Sequence, residues 1–479
     1  MTWQGSASSY GLPVFSRTKQ CPTMAEHRTD TPFDYLDQLA RFVGKFRAED
    51  IPERVLERAR LILVDTIAVI AAGMRTPELI ALSEAQLGSS AAGRAWVIGR
   101  GRSANRFDAA LLNGIAGAWH DFDEGNTLAN GHPGIQVLPT ALAIGQERQL
   151  HGRDVLAAFA LAYEVVARIG MATRVKLIVN PHGTFGVVGA ALVAARLTGY
   201  PVNKMRALAS LAASTCMATN RHTMIDGATI RNWYAGHSSQ MGQMALRLAE
   251  AGLTGPSDGV NTTFSLVLGD GFSGESAVEG LGDRWLLPDG YLKLYPTARY
   301  VHSAIDAWQD AARQLPQPVD PDTIDRIDIQ AYRLAAFLAK QHPSDWFGTR
   351  FSVPFAVATL AVGGRSGLDA FDNEAVADPV IRSLCSRIHV SEAPEFTARY
   401  PQEQRVSLIV HLRGGGQVTG ECVTTSGEPS RPLNPADLDL KFETLAEPIW
   451  GQARARQLRD ALNAIDRCSD VSTLVDFNP

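Results

Sequence analysis

From Pro32 to about Leu253 the apolar residues recur at helical spacing with almost no interruption, and that pattern admits little besides a packed array of helices. The stretch 51–73 shows it best, with Ile51, Val55, Ala59, Ile62, Leu63, Ile67 and Ile70 falling on one side. Pro52 stands in its first turn, where a missing N–H costs nothing, and Gly73 closes it. Further helices are predicted at about 105–119, 135–148, 152–170, 185–198, 202–219 and 235–252. Their Ala and Gly content allows helix axes to approach closely. One short strand, Ala95 to Ile98, precedes a turn at Gly99-Arg100-Gly101.

The pattern changes from about Asp270. Strand-like pieces appear at Ile324–Ala331, Arg405–Arg413 and Gln417–Thr425, the last two flanking Gly414-Gly415-Gly416 as in a hairpin. An amphipathic helix is predicted at about 351–363, and helices resume at 435–446 and 451–465. The fold class is therefore mainly α: a large helical domain built from N- and C-terminal parts (32–269 and 431–479), with a smaller α+β lid inserted at 270–430. Residues 1–31 read as a disordered extension. They lack an acidic residue before Glu26 and lack the apolar stretch of a secretory signal; Met24 could be an alternative start.

Composition narrows the function classes. With 45 Lys+Arg against 50 Asp+Glu the net charge is −5, which argues against nucleic acid or an anionic membrane as partner. No uninterrupted apolar run reaches membrane-spanning length; Asp65 breaks the best, Leu61 to Met74. The five cysteines are scattered, with no C-x-x-C pair. A disulfide framework and a structural zinc site are disfavoured, and a reducing, cytoplasmic setting is expected.

Four segments could carry chemistry. The densest polar cluster is HDFDEGNTLANGHPG (120–134), lying between two apolar helices. Its acids and histidines could form a site in which a carboxylate fixes an imidazole's tautomer. It could equally be a solvated loop with helix caps, while Asp121, Asp123 and His132 match no established metal-ligand spacing. The second, NPHGTFGVVGAA (180–191), places His182 and Thr184 before a helix. It reads either as an anion site at a helix N-terminus or as glycine-mediated packing with Thr184 as a cap. The third, 226–242, brings Arg231 and His237 into an apolar helix; the fourth, 291–307, carries Lys293, Arg299 and His302. Cys216 is either a nucleophile or a small buried residue. Histidines, carboxylates and cations without a cofactor motif suit acid–base work on a substrate bearing several carboxylates.

These segments resemble the MmgE/PrpD family. Asp121-Phe122-Asp123-Glu124-Gly125…His132-Pro133-Gly134 corresponds to its D-F-D-D-[TS]…H-P-[SG] element. Pro181-His182-Gly183-Thr184-Phe185-Gly186 is similar to W-H-x-T-G-T-F-G in shortened form. Residues 230–236 stand where the family has T-K-x-L-H-x-G, and Lys293-Leu294-Tyr295-Pro296…His302 matches K-x-[YFW]-P…H. Asn113-Gly114 and Phe351-Ser352-Val353-Pro354 are further landmarks.

The resemblance implies a homodimeric enzyme without metal or organic cofactor, acting on a small di- or tricarboxylate as a dehydratase or decarboxylase. An epimerase on the same scaffold is the alternative, and a non-catalytic carboxylate-binding protein a more distant one. Carried over by position, Asp121, His132, His182 and Lys293 are the catalytic candidates. Asp123, Thr184, Arg231, Arg299 and His302 are expected to bind substrate. In this scheme Arg231 and Lys293 hold carboxylates and neutralise an enediolate, one histidine moves the proton, and Asp121 orients an imidazole. Two departures stand out. Glu124-Gly125 replaces Asp-Thr or Asp-Ser and removes a hydroxyl. Arg231 replaces a lysine and cannot donate a proton near neutral pH.

Overall fold

In the computed structural model, which describes residues 34–474, the long apolar periodicities become helices. They are α1 (Tyr35–Lys45), α2 (Glu53–Gly73), α3 (Pro77–Ser89), α4 (Arg106–Ala118), α5 (Pro133–Arg148), α6 (Gly152–Ala172), α7 (Gly186–Thr198), α8 (Val202–Ala213) and α9 (Trp233–Glu250). Four more follow: α10 (Arg299–Ala312), α11 (Val353–Gly363), α12 (Pro435–Trp450) and α13 (Gln452–Asn463). The extension expected at 1–31 lies outside the described residues.

The molecule is mainly α, with small sheets. Strands β1 (Ala95–Val97) and β2 (Arg102–Ala104) form one antiparallel ribbon; β3 (Thr173–Val175) and β4 (Gly269–Phe272) form another. Three of these were invisible to periodicity because they are too short to alternate. The larger sheet has the order β6-β5-β7-β8, from β5 (Ile324–Ala331), β6 (Ile388–Glu392), β7 (Val406–Leu412) and β8 (Gln417–Cys422). β5 pairs parallel with β6 and antiparallel with β7. Between β7 and β8, Gly415 (φ 84°) and Gly416 (φ 87°) take the left-handed conformation that a tight loop requires.

Two hydrophobic cores organise the described chain. The first joins α1–α9 to α12 and α13, with Phe442, Leu445, Leu458 and Leu462 contributed from the C-terminal helices. The second gathers α10, α11 and the four-stranded sheet. The division departs from the expected boundary at 270. Residues 270–292 pack into the first core through Ala277, Trp285, Leu286, Leu287 and Leu292. The reason lies on α6, where buried Glu164 accepts from the N–H groups of Leu286 and Leu287, and Arg168 donates to the carbonyls of Ala277 and Glu279. Helix α11, expected to be amphipathic, is buried on every side from Val353 to Ala361. Helix α6 is long and apolar enough to cross a membrane, yet its most apolar window is 94% buried within the fold. Helix α8 stops at Ala213, short of the expected 219.

Helices α4 and α9 touch backbone to backbone. A Cβ at Gly114 would lie 2.7 Å from Gly236 Cα, and one at Gly236 would lie 2.4 Å from the Leu111 carbonyl. This contact fixes the end of α4, where the polar loop begins, against the start of α9, just after the turn that carries Arg231. Gly236→Ala is expected to destabilise the protein by about 1–3 kcal/mol, because its only room is a neighbouring main chain. Urea denaturation measures this, and an unchanged midpoint would show that the helices can part freely.

Candidate active site

Asn105 starts α4 by accepting from the N–H groups of Phe107 and Asp108, and the helix runs to Ala118. The chain then turns sharply, with Asp121 at φ 50°, a conformation a non-glycine residue rarely adopts. Pro133 restarts the helix as α5. The connection between them faces a cleft lined by Asp121, His132, His182, Arg221, Arg231 and Arg299, with Tyr291, Tyr300, Phe351 and Tyr400.

The turn sends its two aspartates to different partners. Asp121 accepts from Lys293 Nζ at 3.0 Å and from Arg231 at 2.5 Å, and its carbonyl takes a second bond from Lys293 at 2.7 Å. All three side chains are buried. Burial pushes the Asp121 carboxyl up, but Lys293 and Arg231 outweigh it and hold it well below the ordinary carboxylate range. Asp123 instead meets the histidines. Its Oδ2 lies 2.9 Å from His132 Nδ1 and 3.7 Å from His182 Nε2, and the two ring centroids lie 4.6 Å apart with their planes tilted by 38°. Asp123 too is held below the carboxylate range, as His132 overcomes the effect of burial. The expected roles are thus exchanged: Asp121 serves the cations, and Asp123, expected to bind substrate, supports the imidazoles. The reversal follows from the left-handed turn at Asp121.

His182 is fixed from behind. Asn180 Oδ1 accepts its backbone N–H at 3.0 Å and faces ring Nδ1 at 3.2 Å, a partner that favours the tautomer with the proton on Nδ1 and a lone pair on Nε2. Burial, then Arg231 and His132, push its pKa down to about 3, leaving it neutral at physiological pH. His132 turns Nδ1 to Asp123, which leaves Nε2 for the cleft.

Three expected substrate contacts are committed elsewhere. Thr184 donates to the Pro181 carbonyl at 2.5 Å, closing the turn into α7. His302 is fully buried, placed between the Thr297 carbonyl (3.3 Å) and Arg299 (3.4 Å). Arg299 lines the cleft, but Glu428 faces it at 2.8 Å. Cys216, half-buried with its thiol pushed up to about 11, stays protonated.

Tyr291, Tyr300, Tyr400 and Arg221 were missed: the first two stand in the fourth segment but carry no charge, and Arg221 and Tyr400 stand outside all four segments. Tyr291 also accounts for Gly125. The two residues exchange main-chain hydrogen bonds (3.2 and 2.7 Å), and a Cβ at Gly125 would lie 2.3 Å from the Tyr291 hydroxyl. The phenol occupies the space a side chain at 125 would need.

Asp123, His132 and His182 each offer one ligand atom, all within 4.8 Å of one another. The donor types suit a divalent ion such as zinc. The grouping differs from the Asp121/Asp123/His132 set considered from spacing. The ion-pair contacts already made by this trio, and the pairing of Asp121 with cations, support acid–base use instead. Activity is accordingly expected to survive prolonged EDTA treatment; loss on chelation with recovery by one specific ion would make the trio a metal centre.

Glu124 lies just behind. It accepts from the Gly134 N–H at the start of α5 and from Tyr163 Oη at 3.3 Å. Burial, and then Asp123, raise its pKa to about 8, so it is mostly protonated at pH 7. A carboxyl raised on folding stabilises fully below its unfolded pKa of about 4.5, and that contribution is lost as pH rises through about 8. Glu124→Gln should therefore gain in melting temperature relative to the native protein between pH 5 and pH 8.5. A constant difference across that range would show that Glu124 holds no proton.

Comparison with known proteins identifies the family. The sequence profile of the MmgE/PrpD N-terminal domain matches residues 37–272, and that of the C-terminal domain matches 295–467. The chain is 22% identical over 467 residues to a cis-aconitate decarboxylase of Aspergillus terreus, covering 92% of this chain and 95% of that protein. It is 24% identical over 470 residues to the human cis-aconitate decarboxylase, covering 92% and 94%. A cis-aconitate decarboxylase-like protein of Aspergillus oryzae, oryM, is 22% identical, covering 91% and 96%.

Proposed function

Because this chain belongs to the MmgE/PrpD family, we propose that it is a lyase that decarboxylates a small tricarboxylate of the cis-aconitate type. The observation that carries the reading is two charge systems side by side at one cleft: Asp121 and Arg231, which line it, with Lys293 buried behind them, and His132 and His182, which line it, against buried Asp123.

The first system has one negative and two positive groups, so it retains a net positive charge for a substrate carboxylate. When the carbon–carbon bond to the departing carboxylate breaks, CO2 leaves. The electron pair left behind forms a new carbon–carbon double bond, and the original double bond's pair moves to its far carbon and delocalises into the carboxylate there as an enediolate. Fixed cations in a water-poor site stabilise that charge without reorganising. One proton on carbon then completes the balance. His132 supplies it from Nε2, with Asp123 holding a counter-charge against the ring, and solvent restores it. His182, neutral with a lone pair on Nε2, accepts a hydrogen bond or a proton in the same space. Dehydration and epimerisation would use the same enediolate, and product identity separates them.

The test is incubation with cis-aconitate, citrate, 2-methylcitrate and iminodisuccinate in deuterated water, followed by NMR. A product lacking one carboxylate and carrying deuterium at the protonated carbon is expected from cis-aconitate. Absence of deuterium from every compound would sink the reading in favour of a non-catalytic carboxylate binder. With the active compound, His132→Gln and His182→Gln are each expected to lower turnover about 100-fold or more. Cys216→Ala should leave it unchanged. A dead Cys216 variant beside fully active histidine variants would reverse the assignment.

A further inference from the structure

Of the cations that line the cleft or lie just beneath it, one has no anionic partner. Lys293 and Arg231 both bind Asp121, and Arg299 faces Glu428. Arg221 lines the same cleft, is only 8% exposed, and meets no carboxylate among the described residues. A buried, uncompensated charge is costly, and an anionic ligand relieves that cost.

Its placement is rigid. The chain leaving α8 runs back along the segment that carries His182, in the opposite direction. Met217 N–H donates to the Gly183 carbonyl at 2.9 Å, and the Thr219 hydroxyl donates to the Asn180 carbonyl. Arg221 completes the run, donating its main-chain N–H to Ile178 at 2.7 Å and its Nε to the Val179 carbonyl at 3.0 Å. With Nε committed, the two terminal amino groups remain, and no described residue accepts from them. That is a preformed fork for one carboxylate. Tyr400, which packs against the second core, lines the same cleft.

We infer that Arg221 receives a substrate carboxylate that stays attached throughout the reaction, and so selects substrates carrying a further carboxylate besides the one held near Arg231 and Lys293. This rests on the carboxylate-lyase reading above. A substrate without that group would leave the guanidinium buried and unpaired, which is how such a site discriminates.

The test uses tricarballylate, a saturated tricarboxylate, with the full chain and calorimetric titration. Arg221→Met is expected to raise its Kd about tenfold or more, as for loss of one partner of a shielded charge pair. Arg221→Lys, which keeps the charge and loses the fork, should fall between. With a substrate that turns over, the methionine variant should raise KM far more than it lowers kcat, and the pH–rate profile should keep its shape. If the methionine variant does not fold, Arg221→Gln carries the same measurements. A Kd change under tenfold while the native protein binds tricarballylate overturns the role of Arg221 and leaves the lyase reading standing. If the native protein binds no tricarballylate and turns over no carboxylate, both fall.

Discussion

The buried carboxylate of Asp121, bound by Lys293 and Arg231, is the interaction around which the site is assembled. Its three members come from the turn after α4, the segment leading into α10 and the approach to α9, which are far apart in sequence. Removing any one strands a charge away from water, a more damaging change than never having had the pair. The cluster therefore couples the position of three chain segments to one electrostatic condition. The helix contacts around it serve that condition: Gly114 and Gly236 let α4 and α9 meet at main-chain distance, and Glu164 with Arg168 tie 277–287 to α6 upstream of Lys293.

A further buried cation extends the same logic to the C-terminal helices. Lys441 on α12 bonds Asp65 on α2 at 2.6 Å and the Phe122 carbonyl at 3.0 Å. Phe122 lies between the two aspartates, so α12 braces the turn that points Asp121 one way and Asp123 the other. Helix α12 thus bears on the site without contributing a side chain to the cleft.

Much of this was legible in the sequence, for identifiable reasons. Long helices announce themselves by period, so α2, α5, α6 and α7 fall within a few residues of expectation, and the triple glycine marked the β7–β8 hairpin. Charged residues inside apolar surroundings marked Asp121, His132, His182, Arg231 and Lys293, because burying such groups demands a reason. Which partner each one takes was not legible. The direction of Asp121 depends on one backbone torsion, and Thr184 and His302 find main-chain partners that only the folded chain supplies. Arg221 carries no local signal, since its value lies in main-chain bonds to residues some forty positions earlier.

The departures at 125 and 231 have physical accounts in the site itself. Gly125 is required by the ring of Tyr291, which fills the space where a hydroxyl-bearing side chain would stand. Arg231 uses its fork: one terminal nitrogen bonds Asp121, while the other reaches the Ala118 carbonyl and Asn232 Oδ1, both at 3.4 Å. A lysine could not span these acceptors at once, so the guanidinium trades proton transfer for a fixed orientation of the turn. With that residue unable to donate and Cys216 held as a thiol, the burden of moving protons in this scheme falls on the adjacent histidines and the carboxylate they share. The separation is useful, because the charge that stabilises an enediolate then stays constant while the imidazoles change protonation beside it.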